Sequence, residues 1–442
     1  MNVSIIGTGY VGVVTGACLA EKGHHVTCVD IDPERVAALN RAESSIFEAG
    51  LDELLRKHVG RTLSATTDLP LAVSDSELTL IAVGTPFNGQ AIDLAAVMTA
   101  ARQIGSTLRN KPAYHVVVVK STVVPGTTDL HVIPALEAAA GKRAGVDFGV
   151  GMNPEFLSEG EAMRDFMFPD RIVLGGNDAR TLDTLEELYR SFAPAPRIRT
   201  NTRTAELIKY ASNALLANLV SFSNEIANLC SALGGIDVMD VMRGVHLSQY
   251  FSGHNTEGLP PIVSFLRPGC GFGGSCLPKD VKALITHGQK AGLPMSLLQS
   301  VIEVNEEQPS KAVALLEKHW PDLMGIRVAV LGLAFKPGTN DVRESPAFAI
   351  LRELLKRGAV PKAFDPVAMD EARRVIRGDG IAYCESLSAA LLDIDAVIVV
   401  TPWPEFREVP ALLRGRRPAP VFVDVRRAFD RGSVECYEGV GL

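Results

Sequence analysis

One cysteine of this chain stands in a setting that suits a nucleophile. Cys276 follows three close glycines and precedes Asp280 by four residues. If a helix begins after Cys276, its N-terminal amides and nearby Lys279 favour the thiolate. The alternative is a small buried hydrophobic side chain, which is common for free cysteine. A thiol that holds a substrate carbon beside an electron acceptor would suit oxidation to an acid.

Other polar residues also occur in pairs spaced by four positions. These are Glu155 with Glu159, Lys209 with Asn213, and Cys276 with Asp280. On a helix each pair would share one face and present two polar groups to one pocket, although chance is a strong alternative for any single pair. Lys209 and Asn213 differ because apolar residues flank them. Buried polar groups need partners, and a substrate would supply them.

The N-terminus has a dinucleotide-binding pattern, Gly7-Thr8-Gly9-Tyr10-Val11-Gly12. It follows an apolar run and opens a helical segment, and Asp30 ends the next predicted strand, where the adenosine ribose would be held. Asp30 favours NAD over its 2′-phosphorylated form. Arg35 would stack on adenine, pair with phosphate or simply face solvent. A purely structural turn is the alternative for the whole motif.

Short β-branched runs alternate with helical segments, which predicts parallel sheets covered by helices. In the first third we expect strands at residues 3–6, 26–29, 78–83, 116–119 and 148–151, and a helix at 13–22. Residues 204–233 contain neither Gly nor Pro, which predicts one helix of roughly 45 Å. Such a helix would join two domains and offer a face to a second copy, giving a homodimer.

The opening pattern returns near the C-terminus. Residues 328–332 resemble 3–7, Asp365 ends a strand as Asp30 does, and 421–424 parallels 116–119, without the three-glycine turn. We therefore predict an α/β fold with two doubly wound, Rossmann-like parallel-sheet domains joined by a long central helix. The domains are placed at 1–200, 201–320 and 321–442. Convergent strand-loop chemistry is the alternative to a repeat.

Composition limits the classes of function. A chain of 442 residues suggests two or three domains, and a net charge of −7 argues against a general nucleic-acid binder. The seven cysteines are scattered without a Cys-x-x-Cys spacing, which favours reduced thiols over disulfides or a metal site. The apolar start has no basic leader, and no apolar run approaches about 18 residues. We expect a cytoplasmic protein without a membrane partner.

An ordered set of motifs resembles the UDP-glucose/GDP-mannose dehydrogenase family over essentially the full chain. The motifs are Gly7 to Gly12, Val83-Gly84-Thr85-Pro86, Lys120-Ser121-Thr122-Val123, Asn153-Pro154-Glu155-Phe156-Leu157, Glu206-Leu207-Ile208-Lys209-Tyr210 with Asn213, Phe272-Gly273-Gly274-Ser275-Cys276-Leu277-Pro278-Lys279-Asp280, and Phe335-Lys336 with Arg343-Glu344-Ser345-Pro346.

The resemblance implies oxidation of the C6 alcohol of a nucleotide sugar to a carboxylate in two NAD-dependent steps. Cys276 would capture the aldehyde as a thiohemiacetal, which becomes a thioester and is then hydrolysed. Lys209 would stabilise oxyanion character on C6, and Asn213 would hold the C6 oxygen or a water. Asp280, Thr122 and a water would handle protons. Glu155 and Glu159 are candidates for the general base and for the nicotinamide side.

The resemblance also implies binding residues. Cofactor contacts are expected at Gly7, Gly9, Tyr10, Val11, Gly12, Asp30, Arg35, Thr85, Pro86, Thr122, Glu159, Lys279 and Arg343. Nucleotide-sugar contacts are expected at Glu155, Phe156, Leu157, Lys209, Asn213, Phe265, Arg267, Gly273, Lys336 and Arg426. Arg426 would touch the base, or is an exposed arginine.

The sugar is the open question. UDP-glucose members carry Asp-x-Arg-Ile-Gly shortly before the cysteine segment, whereas this chain has residues 257–262 without that arginine, in a predicted substrate-edge loop at 247–266. UDP-glucose is favoured on family frequency, with GDP-mannose or a UDP-N-acetylhexosamine as rivals. A non-catalytic sensor of NAD or nucleotide sugar, an assembly scaffold and a one-step alcohol dehydrogenase are the alternatives of other kinds.

Overall fold

The computed structural model describes residues 1–44, 46–192, 194–249, 251, 260–376 and 380–442. By compactness the chain forms two units, Met1–Ser212 and Asn213–Leu442. The division falls inside one continuous helix, α9, which spans Thr202–Leu233. The predicted division into three domains remains a prediction. Residues 250 and 252–259 of the predicted substrate-edge loop at 247–266 lie outside the described residues.

The first unit is built on one sheet. Its strands are β1 (Asn2–Ile6), β2 (His25–Val29), β3 (Leu63–Thr66), β4 (Leu78–Ile81), β5 (Val116–Val119), β6 (Gly149–Met152), β7 (Ile172–Gly176) and β8 (Arg197–Thr200). Its helices before α9 are α1 (Tyr10–Glu21), α2 (Pro33–Asn40), α3 (Leu51–His58), α4 (Leu69–Asp75), α5 (Ala95–Leu108), α6 (Ile133–Ala140), α7 (Ala162–Met167) and α8 (Ala179–Leu188).

In the described part of this sheet the strand order is β3-β2-β1-β4-β5-β6-β7-β8. β1 to β6 run parallel, and β7 pairs antiparallel with β6. The order reverses direction at β1, which pairs with both β2 and β4. A reversal of this kind opens a crevice at the carboxyl ends of the strands. Apolar residues on both sheet faces are buried beneath the helices.

The second unit contains a second sheet. Its strands are β9 (Arg327–Leu331), β10 (Val360–Phe364), β11 (Ala382–Tyr383), β12 (Ala396–Val399), β13 (Val421–Asp424) and β14 (Tyr437–Gly439). Its helices after α9 are α10 (Val238–His246), α11 (Leu277–Lys290), α12 (Ser296–Glu317), α13 (Pro346–Lys356), α14 (Met369–Val375), α15 (Leu387–Ala390) and α16 (Val409–Leu413). The order β11-β10-β9-β12-β13-β14 is parallel at each described pair.

The turn after β9 repeats the geometry of the turn after β1. Gly7 N donates to Val29 O at 2.7 Å, and Gly332 N donates to Phe364 O at 2.8 Å. Both glycines have positive φ, +104° and +89°. Asp365 then accepts from the amides of the second turn and from the indole of Trp403 at 3.0 Å. The predicted pair of doubly wound sheets with a long central helix is confirmed.

Candidate active site

The glycine-rich turn between β1 and α1 depends on contacts that exclude a side chain. A Cβ on Gly12 would lie 1.9 Å from the carbonyl oxygen of Gly7. A Cβ on Gly9 would meet no described atom within 4 Å, so the outer side of the turn is open. Gly9 is also the N-cap of α1. An open turn in front of a helix N-terminus fits the pyrophosphate of a dinucleotide.

Asp30 lies beside this turn, at the end of β2. Its Oδ2 accepts from the amide and hydroxyl of Thr8 at 2.8 and 2.6 Å, and its Oδ1 accepts from Asp32 N at 3.0 Å. Burial raises the pKa of Asp30, but the hydrogen bonds from Thr8 and Asp32 outweigh it, so this pKa lies below its usual value. The carboxylate is thus held ionised beside the glycine turn. Arg35 is mostly exposed and lies 3.5 Å from Asp32.

Tyr10 links the glycine turn to the segment before α7. Its hydroxyl donates to the carboxylate of Glu48, and Gly160 N donates to both groups, at 3.0 and 2.8 Å. Burial and then the Glu48 carboxylate raise the pKa of Tyr10 above its usual range. Val11, half-buried, packs on the core of the same unit. The sequence motif identified Tyr10, but nothing in the pattern pointed to Glu48.

Two threonines lie at the carboxyl ends of neighbouring strands. Thr85 follows β4 and Thr122 follows β5. The Thr85 hydroxyl donates to Thr122 O at 2.8 Å and ties the two loops together. Pro86, next to Thr85, is exposed. Since β1, β4 and β5 are parallel neighbours, these loops leave the same sheet edge as the glycine turn.

Lys209 and Glu155 form a buried ion pair in the first unit. Lys209 Nζ lies 2.9 Å from Glu155 Oε1, and the side chains are 4% and 7% exposed. Leu157 N donates to Glu155 Oε2 at 2.7 Å. Burial raises the pKa of Glu155, but Lys209, the Leu157 amide and Lys120 outweigh it and bring the pKa below its usual value. Two opposite charges are therefore buried in contact with each other in the first unit.

The predicted helical spacing of Glu155 and Glu159 is wrong. Both residues lie in the irregular segment between β6 and α7. Asn153 precedes Pro154, which disfavours helical backbone at that point, and the contact of Glu155 with Leu157 N makes a local turn. The two glutamates consequently share a loop without sharing a helix face.

Phe156, in the same loop as Glu155, has two cationic side chains near its ring. The guanidinium of Arg171 is 4.0 Å from the centre of its ring, and Lys209 Nζ is 5.5 Å from it. The Arg171 side chain also donates to Ser212 at 3.3 Å. Cation–π contacts of this kind fix the ring and the lysine relative to each other. Arg171 had no sequence signal.

Cys276 is the N-cap of α11, and Asp280 lies in the first turn of that helix. Asp280 N donates to Cys276 O at 2.9 Å. The Asp280 carboxylate is 1% exposed, accepts from Asn213 Nδ2 at 2.6 Å and pairs with Lys279 Nζ at 2.8 Å. Cys276 itself is only half-buried. The predicted helix start after Cys276 is seen in the second unit, and the contact of Asn213 with Asp280 on that helix is a further finding.

Two asparagines fix the glycine segment that leads to Cys276. Asn305, on α12, accepts from Phe272 N at 2.7 Å and donates to Phe272 O at 3.1 Å. Asn224, on α9, accepts from Gly269 N at 2.7 Å. A Cβ on Gly273 would lie 2.2 Å from the carbonyl oxygen of Glu344, so this position excludes any side chain. The sequence reasoning missed both asparagines, because their partners lie far away in sequence.

The predicted basic contacts have varied surroundings within the second unit. Arg343 makes a two-pronged contact with Asp341, at 2.9 and 2.6 Å, and lines a cavity of about 300 Å³. Arg426 donates to Gly271 O at 2.9 Å, so it binds the glycine segment. Lys336 is half-buried and Arg267 is exposed. Phe265 ends a short 3-10 helix and is half-buried.

The chain matches three domains of the UDP-glucose/GDP-mannose dehydrogenase family. The NAD binding domain matches residues 1–193, the central domain matches residues 203–307, and the UDP binding domain matches residues 329–431. The chain belongs to this family. The family's NAD binding domain contains the glycine turn and Asp30, whose geometry suits a dinucleotide. The central domain contains Lys209, Asn213 and Cys276.

Individual relatives match over nearly the whole chain. The chain is 41% identical to the UDP-glucose 6-dehydrogenase AglM of Haloferax volcanii, covering 100% of both chains. It is 42% identical to a GDP-mannose 6-dehydrogenase of Pseudomonas aeruginosa over 90% of this chain and 89% of that protein. A solved UDP-glucose dehydrogenase of Pyrobaculum islandicum superposes with a TM-score of 0.90 and 42% identity, covering 99% and 97% of the chains. Within the described residues, no helix is both long and apolar enough to cross a membrane.

Proposed function

We propose that this chain is an NAD-dependent UDP-glucose 6-dehydrogenase that oxidises the sugar C6 alcohol to a carboxylate through a covalent Cys276 intermediate. The main support is the geometry at α11, where Cys276, with a half-buried side chain, is the N-cap residue and Asp280 in the first turn accepts a hydrogen bond from Asn213. An alcohol dehydrogenase that stops at the aldehyde needs no such thiol. The names of the relatives support UDP-glucose as substrate.

The cofactor site in this proposal is the turn that Gly7, Gly9 and Gly12 form, with Asp30 on the ribose. Thr85, Pro86 and Thr122 would border the nicotinamide end from the loops after β4 and β5. NAD, when bound, supplies the electron acceptor for each of the two oxidation steps. Tyr10, Val11, Arg35, Glu159, Lys279 and Arg343 complete the proposed cofactor contacts.

In the first oxidation, Lys209 would stabilise negative charge on the C6 oxygen while the hydroxyl proton leaves. Glu155 keeps that lysine cationic, because the two side chains are an ion pair at 2.9 Å. Asp280, with Thr122 and a water, would accept the proton, and Asn213 would orient that water. Glu155 or Glu159 would serve as the general base of a later step.

In the second half of the reaction, the thiolate of Cys276 would add to the aldehyde carbon, and the resulting oxyanion would take a proton to give a thiohemiacetal. Oxidation of that carbon then gives a thioester. Water attacks the thioester carbonyl, the C–S bond breaks, and the acid and the free thiol result. Covalent capture prevents the reactive aldehyde from escaping while the reduced cofactor is exchanged.

The nucleotide part of the substrate would bind the second sheet, since residues 329–431 match the UDP binding domain. Lys336 would reach the diphosphate and Arg426 the base. Phe156, Leu157, Phe265, Arg267 and Gly273 complete the proposed sugar contacts. We keep the three-domain division at 1–200, 201–320 and 321–442, and the cytoplasmic location, as parts of this proposal.

The test is turnover of purified protein with NAD and a panel of UDP-glucose, GDP-mannose and UDP-N-acetylhexosamines. We expect two NADH per molecule of UDP-glucose. Cys276→Ser should stall before free acid appears, whereas Cys384→Ser, at another half-exposed thiol, should not. Preference for a different sugar would correct the substrate, and absence of NADH with every sugar would leave a binding protein instead of an enzyme.

We also propose that the enzyme is a homodimer formed through α9. Large apolar side chains on this helix are exposed at Leu215, Phe222, Leu229 and Leu233, by 45–65%. Their spacing of seven, seven and four residues places them on one helix face, and an exposed apolar stripe marks a protein interface. Light scattering should give a dimer, which Leu229→Glu dissociates and the exposed control Leu293→Glu does not.

A further inference from the structure

Lys120 is a buried cation that the proposed mechanism does not use. It directly follows β5, and Asn153 directly follows β6, the neighbouring strand, with Val119 opposite Met152. Lys120 Nζ donates to Asn153 Oδ1 at 3.0 Å. The side chain is 2% exposed. The position of this buried cation is therefore fixed by strand register and by a hydrogen bond to Asn153, two residues before Glu155.

The orientation of Asn153 is itself fixed. Its Nδ2 donates to Val173 O at 2.8 Å, and its Oδ1 accepts from Tyr189 at 2.5 Å as well as from Lys120. This leaves the amide oxygen facing the ammonium. The second oxygen near Lys120 Nζ is the Tyr189 hydroxyl at 3.5 Å.

Among the described contacts, the Lys120 ammonium has fewer hydrogen-bond acceptors than the Lys111 ammonium. Lys111 Nζ donates to three backbone carbonyls at the C-terminal end of α4, so its ammonium has a full set of acceptors. Lys120 has an amide oxygen and a more distant hydroxyl, which compensate a buried charge poorly. The Glu155 carboxylate favours the charged form of Lys120, while Lys209 opposes it. Burial, opposed by Glu155, lowers the pKa of Lys120 to about 8.

We propose that Lys120 is a positioning residue for the Lys209–Glu155 pair, a second buried cation that keeps the Glu155 carboxylate ionised. In a region of low dielectric, a lysine and a glutamate in contact are prone to transfer a proton and become neutral. A positive charge near the glutamate opposes that transfer. Lys209 then remains cationic and able to stabilise the C6 oxyanion, so the inference rests on the proposed function.

The charged and titratable groups around Lys120 come from several elements. Glu155 lies on the loop after β6, Lys209 on α9 and Tyr189 just after α8, and the ring of Phe166 on α7 is 5.5 Å from Nζ. Burial, only partly offset by the contact with Asn153, raises the pKa of Tyr189 above its usual range, so it stays neutral. Below pH 8, Glu155 is thus the group whose ionisation depends on Lys120.

The test compares Lys120→Met with wild type and with Lys111→Met, which removes a lysine of the same unit away from the pair. In Lys120→Met, the acid limb of the pH profile of kcat/KM should move to a pH about one unit higher. The reason is that a nearby positive charge lowers a carboxyl pKa by about 1–3 units, and the variant lacks that charge. Near the lower end of that limb, kcat should fall about tenfold, with KM for NAD unchanged. Lys111→Met should lose stability without moving the limb.

Melting temperature against pH gives a second readout that needs no turnover. Between pH 5 and 7, Lys120 stays charged. A pH-dependent difference in melting temperature between wild type and Lys120→Met therefore reports the ionisation of Glu155. We expect Lys120→Met to gain about 3 °C relative to wild type as the pH falls to 5. Lys120→Gln, which retains a donor to Asn153, should behave as Lys120→Met does.

The outcomes separate the two proposals. Wild-type protein that reduces no NAD, with the melting gap still dependent on pH, would refute the proposed function alone. An active wild type whose pH limb and melting gap are unmoved by Lys120→Met would overturn the role of Lys120. Failure of both neutral variants to fold would assign Lys120 to stability only and would also overturn it.

Discussion

The buried Lys209–Glu155 pair allows a prediction about stability that is independent of catalysis. Replacing Lys209 by Met removes the partner that lies 2.9 Å from Glu155 Oε1 and leaves a carboxylate that is 7% exposed. Breaking a buried ion pair from one side costs about 3–5 kcal/mol. For a unit of about 200 residues, 1 kcal/mol corresponds to about 2–4 °C in Tm. We therefore expect the first unit to melt about 6–20 °C lower at pH 8.

The loss should depend on pH in a direction that the structure fixes. In the wild type the pKa of Glu155 is below its usual value, so ionised Glu155 contributes stability above its unfolded pKa and loses it as the pH falls through the folded pKa. Without Lys209, burial dominates and the pKa of Glu155 rises. Protonation of Glu155 then removes the unpaired buried charge from Lys209→Met. The difference in Tm between this variant and wild type should therefore become smaller from pH 8 towards pH 5.

Calorimetry of four proteins checks this reasoning: wild type, Lys209→Met, Glu155→Gln, and the double variant. The double variant removes the buried carboxylate together with Lys209, and the remaining Lys120, whose pKa is already lowered to about 8 by burial, can become neutral. The double variant should therefore be more stable than Lys209→Met at pH 8. Lys57→Met is the matched control, since Lys57 pairs with Glu21 on the surface, where ion pairs contribute about 0–1 kcal/mol. A Lys209→Met protein that is as stable as Lys57→Met, or a double variant that melts lowest, would refute the account.

Three further outcomes are expected. Gly12→Ala places a Cβ 1.9 Å from a backbone carbonyl oxygen, so the rise in Tm on adding NAD should be lost. Asn305→Ala removes both hydrogen bonds to Phe272, and should lower kcat and alter the alkylation rate of Cys276 while KM for NAD stays constant. Burial raises the pKa of Glu206 to about 6, so wild type has stability below pH 4.5 that it loses as the pH rises through 6. Glu206→Gln lacks that titration, and the difference in unfolding free energy between the two proteins should change by ~2 kcal/mol from pH 4.5 to 7.

Local sequence patterns predicted the elements that position the site. The alternation of strand and helix placed β1, β2, β4, β5 and β6 within one or two residues of their observed bounds. The long helix was predicted because neither Gly nor Pro interrupts it. α1 begins at Tyr10, three residues earlier than predicted, since Gly9 already serves as its N-cap.

Spacing succeeded for site residues where the backbone was helical. Cys276 and Asp280 are on one turn as their spacing indicated. Glu155 and Glu159 have the same spacing, but Pro154 keeps their segment irregular. A spacing of four residues does not by itself distinguish the helical pair from the pair in a loop. Two residues at this spacing share a face only if the segment between them is already helical.

The residues that were missed act over long distances in sequence. Glu48 meets the amide of Gly160, and Asn305 meets Phe272. Each is an ordinary polar residue in its own neighbourhood, so no local pattern marks it. Their importance exists only after the chain has folded.

Asp365 gives the second sheet a limit on what it can bind. The carboxylate at the end of β10 receives the amides of Leu333, Ala334, Val367 and Ala368 and the indole of Trp403. Asp30 in the first sheet accepts from Thr8 and Asp32 alone among the described contacts, and we propose that it also accepts from ribose hydroxyls. An engineer who transplanted the three-glycine turn onto β9 would therefore still lack a ribose acceptor, and calorimetric titration should count one NAD per chain even in that hybrid. The two sheets share the geometry of this turn, but Asp365 at the end of β10 accepts hydrogen bonds from more protein groups than Asp30 at the end of β2 does.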